Sequence, residues 1–131
     1  MQDLEELKNI IRELVPHAKK TLGYNKPVKV VLRHDPENAK MLLGRTAYYS
    51  PTENKVVLYT TNRHGKDILR SLCHELVHHA QNCRGEFDNA GPAIEGYAQK
   101  DEHLREMEKE AYLEGQLLLR DWEDGIKHGS D

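Results

Sequence analysis

The segment 66–82 constrains the fold of this chain most strongly, because its apolar residues recur at the spacing of three and four residues that is typical of an α-helix. The apolar residues cluster on one side of a helical wheel: Leu69, Leu72, Leu76 and Ala80. His74 and His78 lie almost opposite that side. We therefore predict an amphipathic helix from about Lys66 to about Asn82, which buries its apolar side and presents two histidines one turn apart.

The two histidines belong to the motif His74-Glu75-Leu76-Val77-His78, an H-E-x-x-H pattern. Imidazoles four residues apart on a helix can bind one metal ion, each at about 2.0–2.1 Å. Glu75 is turned about 100° from His74 around the helix, so it is poorly placed as a third ligand. It can instead reach a metal-bound water and act as a general base. Without a third ligand, two solvated histidines on an ordinary amphipathic helix are the alternative.

A third ligand is expected because catalytic zinc sites combine three protein ligands with one open position. The predicted last helix, residues 101–124, offers several candidates: His103, Glu106, Glu108, Glu110 and Glu114. On a helical wheel, Glu108 is the carboxylate nearest to the apolar stripe of that helix. A carboxylate near a buried face needs a compensating partner, and a metal ion is a suitable one. We therefore predict Glu108 as the ligand; the alternative is a side chain that reaches solvent beside Arg105.

The sequence LRSLCHELVHHAQ, together with the later MEKEAY that places Glu108 30 residues after His78, resembles the gluzincin branch of the zincin metallopeptidases. In that family the ligand glutamate often lies three residues before an alanine, as Glu108 lies before Ala111. The resemblance implies one zinc ion per chain, bound by His74, His78 and Glu108, with Glu75 as the catalytic base. One departure is Tyr112, which stands where larger gluzincins have an aspartate that orients a zinc-bound histidine. The oxyanion-stabilising residue stays open among four candidates: Tyr97, Tyr112, His79 and His103.

The rest of the chain predicts an α+β fold in the order of a small zincin: N-terminal helix, three-stranded sheet, active-site helix and C-terminal glutamate helix. Residues 3–22 have helical periodicity, with a kink or break expected at Pro16. Strand character occurs in three segments: 27–33, 43–50 and 55–60. The last two segments flank the turn-forming residues 51–54 and should form a hairpin.

The remaining segments are expected to be irregular. Residues 34–40 are polar and predict a loop. Residues 83–100 hold three glycines and a proline and predict a long surface loop near the site. With 131 residues and no linker or repeat, the chain is expected to form a single domain, residues 1–131, with a frayed tail at 125–131.

Composition narrows the classes of partner. The net charge is −3, from 19 basic and 22 acidic side chains, which gives no electrostatic reason to expect nucleic acid or an anionic membrane as a partner. The N-terminus lacks the pattern of a signal peptide, so a cytoplasmic location is expected. The expected oligomeric state is a monomer. Cys73 and Cys83 would lie about 15 Å apart on one helix, too far for a disulfide, and both are expected to be free thiols.

These observations favour hydrolysis of a peptide or protein substrate and leave two alternatives open. One is a zincin-like regulator that cleaves a single protein partner. The other is a non-catalytic module in which zinc only staples the last two helices together. Among the remaining polar residues, His79 is expected at the surface, and Arg63, His64 and Lys66 are expected to form a solvated basic cluster.

Overall fold

In the computed structural model of the chain, residues 4–41, 44, 46–87 and 102–127 are described. They form four helices and three strands: α1 (Leu4–Leu22), β1 (Lys29–Arg33), α2 (Pro36–Lys40), β2 (Ala47–Ser50), β3 (Lys55–Tyr59), α3 (Gly65–Cys83) and α4 (Glu102–Lys127). The predicted α+β class and the predicted order of helix, sheet and two further helices are confirmed. The short helix α2 was not predicted.

The three strands form one mixed sheet in the order β1-β3-β2. β1 runs parallel to β3, and β2 runs antiparallel to it. The predicted hairpin of β2 and β3 is confirmed, and its turn ends at Asn54 with a positive φ of 51°. β3 occupies the centre, and its residues Val56, Val57 and Leu58 are fully buried. β2 is therefore an edge strand.

α1 packs against α3 and α4 through an apolar face of Leu7, Ile11, Leu14 and Ala18, all buried. The helix continues through Pro16 without the predicted break. A proline inside a helix costs about 3 kcal/mol, but buried side chains before and after it hold the helix in place. α1 ends at Leu22, and the next residue, Gly23, has a φ of 77° that suits glycine and donates its N–H to the carbonyl of Lys19 at 2.8 Å.

α3 and α4 form the most extensive contact in the fold, and Gly115 of α4 sets their separation. A Cβ atom at this position would lie 3.1 Å from both Cα and N of His74. Glycine thus permits the two backbones to approach closely. Glu108 lies two turns earlier along the same side of α4, so this approach also brings its carboxylate to α3.

The structure corrects three predicted boundaries. Residues 34–40 are not all loop: the Asp35 carboxylate accepts from the N–H of Asn38 at 3.0 Å, and Pro36 starts α2. α4 continues to Lys127, so residues 125–127 are helical and not part of a tail, while 128–131 lie outside the described residues. Of the predicted loop 83–100, Cys83 ends α3, residues 84–87 form turns, and 88–100 lie outside the described residues.

His79 is buried in the core, not exposed as predicted. Its exposed fraction is 0%, and its imidazole packs against the rings of Tyr24 and Tyr49. Nδ1 lies 2.7 Å from the Tyr49 hydroxyl and Nε2 lies 2.8 Å from the carbonyl of Lys26. Burial lowers the pKa of His79, which favours a neutral ring that donates from Nε2 and accepts at Nδ1. This histidine stabilises the fold between α3 and the sheet.

Arg63 is likewise not part of a solvated cluster. Its guanidinium is partly buried and donates to the carbonyls of Thr46 and Tyr59, each at 2.9 Å. It also donates to the Asp67 carbonyl at 3.0 Å and to the Ser71 hydroxyl at 2.8 Å. Burial lowers the pKa of Arg63, but an arginine guanidinium stays charged in proteins. Arg63 thus fixes the segment that enters β2 to the first turns of α3.

Both cysteines are free thiols, as predicted. Cys73 is fully buried in the core beside α4, and burial raises its pKa to about 12. Across the described ranges, every helix is too short or too polar to cross a lipid bilayer.

Candidate metal centre

Three predicted ligands converge between α3 and α4. Oε1 of Glu108 lies 3.2 Å from Nε2 of His74 and 2.7 Å from Nε2 of His78. One ligand atom from each of the three residues can be chosen so that all lie within 4.8 Å of one another. We refer to His74, His78 and Glu108 as the ligand cluster. Its geometry allows one ion to contact two imidazole nitrogens and one carboxylate oxygen.

Hydrogen bonds within the ligand cluster favour a negatively charged Glu108 carboxylate beside imidazoles that donate to it. Hydrogen bonds from His74 and then His78 hold the pKa of Glu108 well below its usual range, although burial opposes this. Burial disfavours the charged form of His78, but its hydrogen bond to Glu108, the nearby charge of Glu75 and a hydrogen bond to Gln81 outweigh it and raise its pKa. A cation bound here would replace imidazole protons as the partner of the carboxylate.

The donor set fits a metal ion. Two imidazoles and a carboxylate form the ligand set of many catalytic zinc centres, and three protein ligands leave a position open for water. The cluster is partly exposed on one side, since His74 and Glu108 are half-buried while His78 is buried. The ligand cluster could therefore hold an ion that solvent or a substrate can still reach.

Glu75 lies beside the ligand cluster rather than within it. It lines a cleft of about 290 Å³ together with His74. The rest of the cleft wall includes Thr46 before β2, Arg70 and Ser71 of α3, and Tyr112 and Gln116 of α4. The predicted base and one predicted ligand therefore face the same accessible space.

The other acidic and histidine candidates on α4 are used elsewhere. Glu110 accepts hydrogen bonds from Gln81 and Arg84, and Glu106 lies 3.4 Å from Lys109. Nε2 of His103 lies 3.0 Å from the Glu86 carbonyl. Glu114 lines a separate surface depression with the end of α1. Of the five candidates from the sequence, only Glu108 joins the two histidines.

The structure also narrows the search for an oxyanion donor. His79 is buried in the core and does not line the cleft, and His103 is bound to the Glu86 carbonyl. Tyr97 lies outside the described residues. Tyr112 lines the cleft, is 63% exposed, and packs its ring edge-on against His74 with centroids 4.7 Å apart. Of the described candidates, it is the one that lines the cleft.

Sequence reasoning missed the partner of the second histidine. Nδ1 of His78 lies 2.7 Å from Oε1 of Gln81, which is fully buried. The only available signal was the spacing of three residues on one helix, which places two side chains on the same face. A spacing alone does not show that the glutamine turns inward.

No protein-family model, no curated protein and no solved structure matches this chain. The assignment of the site therefore rests on its geometry and on the chemistry of its side chains.

Proposed function

We propose that this chain is a zinc-dependent peptidase of the gluzincin type. The observation that carries the proposal is the convergence of the H-E-x-x-H histidines with Glu108, a residue 30 positions away, while Glu75 faces the adjoining cleft. Chance does not readily place a carboxylate from another helix within 3.2 Å of both imidazoles. Among the described residues, the two imidazoles are the partners of the half-buried Glu108 carboxylate, and a bound cation would compensate its charge.

The proposed chemistry divides between the metal ion and the protein. Zinc in such a site lowers the pKa of a bound water and polarises the carbonyl of a peptide bond. Glu75 accepts a proton from the attacking water on its carboxylate and then delivers it to the leaving amine nitrogen. Tyr112 is proposed to donate its phenolic hydrogen to the oxygen of the carbonyl under attack.

The substrate is proposed to bind as an extended strand along β2. Thr46, directly before β2, lines the same cleft as Glu75. Within the described part of the chain, β2 pairs with β3 alone, so a peptide could add to its other side by strand pairing. Arg63 holds this end of β2 against α3, which sets the distance between the edge strand and the base.

Metal analysis tests the first part of the proposal. Purified wild-type protein is expected to hold one zinc per chain after reconstitution, and Glu108→Ala is expected to lose it. Glu106→Ala is the matched control, because this carboxylate lies on the same helix but pairs with Lys109. A wild-type chain that takes up no stoichiometric zinc would refute the proposal.

Cleavage of a peptide library tests the second part. Wild type should cleave some of its peptides, whereas Glu75→Gln should keep zinc and lose cleavage. A regulator that cleaves one partner would leave the library intact, and its activity would require that partner.

A non-catalytic zinc staple is the second candidate, and the position of the ligand cluster between α3 and α4 favours it, because a metal there would join the two helices. The two candidates differ in whether the bound metal keeps an open coordination position. A staple would bind zinc in a closed shell, and spectroscopy of a cobalt-substituted protein would show no exchangeable water. A peptidase would show an open position that competing anions can enter.

A further inference from the structure

Gln81 of α3 is a fully buried amide that contacts both helices of the site. Its Oε1 lies 2.7 Å from Nδ1 of His78. Its Nε2 donates to the backbone carbonyl of Met107 at 2.9 Å and to Oε1 of Glu110 at 2.7 Å. Each polar atom of this side chain thus has a partner, as burial requires.

The partners determine which way the amide points. A backbone carbonyl and a carboxylate can only accept hydrogen bonds, so both hydrogens of the Gln81 amide must be directed at Met107 and Glu110. The amide oxygen then has to face His78. A flipped amide would bring an oxygen against two acceptors, which is unfavourable in a buried site. The orientation therefore follows from the network.

The orientation of the amide in turn determines which ring nitrogen of His78 keeps its hydrogen. Because an oxygen faces Nδ1, that nitrogen must carry the hydrogen. Nε2, which donates to Glu108 at 2.7 Å, is then the nitrogen at which a metal ion can displace the hydrogen and take the lone pair. With that hydrogen displaced, the ring is the tautomer with its hydrogen on Nδ1. This is the tautomer a metal ion needs in order to bind at Nε2.

Glu110 is held in turn by Arg84, whose Nη2 lies 2.8 Å from its Oε1. Arg84 follows the last residue of α3 and also pairs with Glu86. Its charge compensates the carboxylate, so that Glu110 can accept from a buried amide at low cost. Each side chain in the hydrogen-bonded series from His78 through Gln81 and Glu110 to Arg84 therefore has a partner.

We propose that Gln81 is a positioning residue, which presents Nε2 of His78 to the metal ion and ties the helical turn of Glu108 to α3. The second part follows because Met107, which accepts from Gln81, directly precedes Glu108. The inference rests on the proposed zinc site.

Gln81→Met tests the proposal, since it keeps the size of the side chain and removes its hydrogen bonds. The matched control is Asn82→Leu on the next residue. The side-chain amide of Asn82 donates to the Tyr49 hydroxyl, the Pro51 carbonyl and Oδ1 of Asn54, none of which belongs to the ligand cluster. Two quantities are measured for each variant: zinc affinity, by competition with a chromophoric chelator, and the melting temperature of the metal-free protein.

Both variants should melt below wild type, because each loses part of a hydrogen-bond network. Only Gln81→Met should also lose zinc affinity, by about 10- to 100-fold. Equal affinity in Gln81→Met and wild type would refute the positioning role, and so would an equal loss in both variants. A wild-type chain that binds no zinc would refute the proposed function together with this inference.

Nitrogen-15 NMR of zinc-bound wild type provides a second readout, which does not depend on whether a variant folds. The expected spectrum shows His78 bound through Nε2, with a hydrogen on Nδ1 that exchanges slowly with solvent. Coordination through Nδ1 would overturn the inference while leaving the zinc site intact.

Discussion

Gly115→Ala should weaken zinc binding although residue 115 is not a ligand. The added Cβ would lie 3.1 Å from Cα and N of His74 and 3.3 Å from the carbonyl carbon of Cys73. These are backbone atoms inside a helix, so they cannot move aside as a flexible side chain could. α4 must therefore shift away from α3 by a few tenths of an ångström.

The shift is large enough to matter for metal binding. Distances in a metal site are held to about ±0.2 Å, and Glu108 lies on the same face of α4 two turns from the new methyl group. If the carboxylate moves with its helix, it is drawn away from Nε2 of both histidines. We expect zinc affinity to fall at least about tenfold, which corresponds to about 1.4 kcal/mol.

The stability of the metal-free protein reflects two opposing effects. Replacing glycine by alanine inside a helix stabilises it by about 0.5–1 kcal/mol. Overpacking a tight contact costs about 1–3 kcal/mol. The net effect is a destabilisation between about zero and about 2.5 kcal/mol, measurable by urea unfolding in the presence of a chelator.

Gly125→Ala is the control in the same helix, because no atom lies within 4 Å of its added Cβ. It should leave zinc affinity unchanged and stabilise the protein by up to about 1 kcal/mol. Chelator competition gives the affinities. If Gly115→Ala binds zinc like wild type and is stabilised as much as Gly125→Ala, the close approach of α3 and α4 does not position Glu108.

Three further predictions concern residues around the site. Tyr112→Phe should retain zinc but lower kcat by about 10²- to 10³-fold if its hydroxyl stabilises the oxyanion; unchanged kcat on a cleaved library peptide would exclude that role. Cys83 should react with a thiol reagent at pH 8 while Cys73 stays unmodified in the folded protein, because burial raises the pKa of Cys73 to about 12; mass spectrometry after timed quenching identifies the modified residue, and early labelling of Cys73 would contradict its burial. Arg63→Met should destabilise the fold by about 1–3 kcal/mol, because carbonyls of Thr46 and Tyr59 lose a buried donor; urea unfolding measures the loss, and a wild-type midpoint would show that Arg63 is dispensable.

Local sequence patterns determined much of this protein. The helix with His74 and His78 was predictable because its periodicity and its motif lie within one segment, where spacing alone decides which residues share a face. The hairpin of β2 and β3 was predictable for the same reason. Glu108 was identifiable because its position beside an apolar stripe implied a partner. Short-range signals also existed for α2, in Asp35 and Pro36, but a helix of five residues has little periodicity to reveal it.

The tertiary structure decided what each polar side chain faces. His79 and Gln81 are on the same helix as His74 and His78, and the sequence does not say that His79 contacts the sheet while Gln81 contacts α4. The sequence predicted Arg63 to be a solvated cation, but in the structure it donates to the carbonyls of Thr46 and Tyr59, each at 2.9 Å. The position of β3 between β1 and β2, which leaves β2 at an edge of the described sheet, also depends on contacts between segments that are distant in the sequence. Helical period is a property of neighbouring residues, whereas the partner of a buried polar group depends on segments that are distant in the chain.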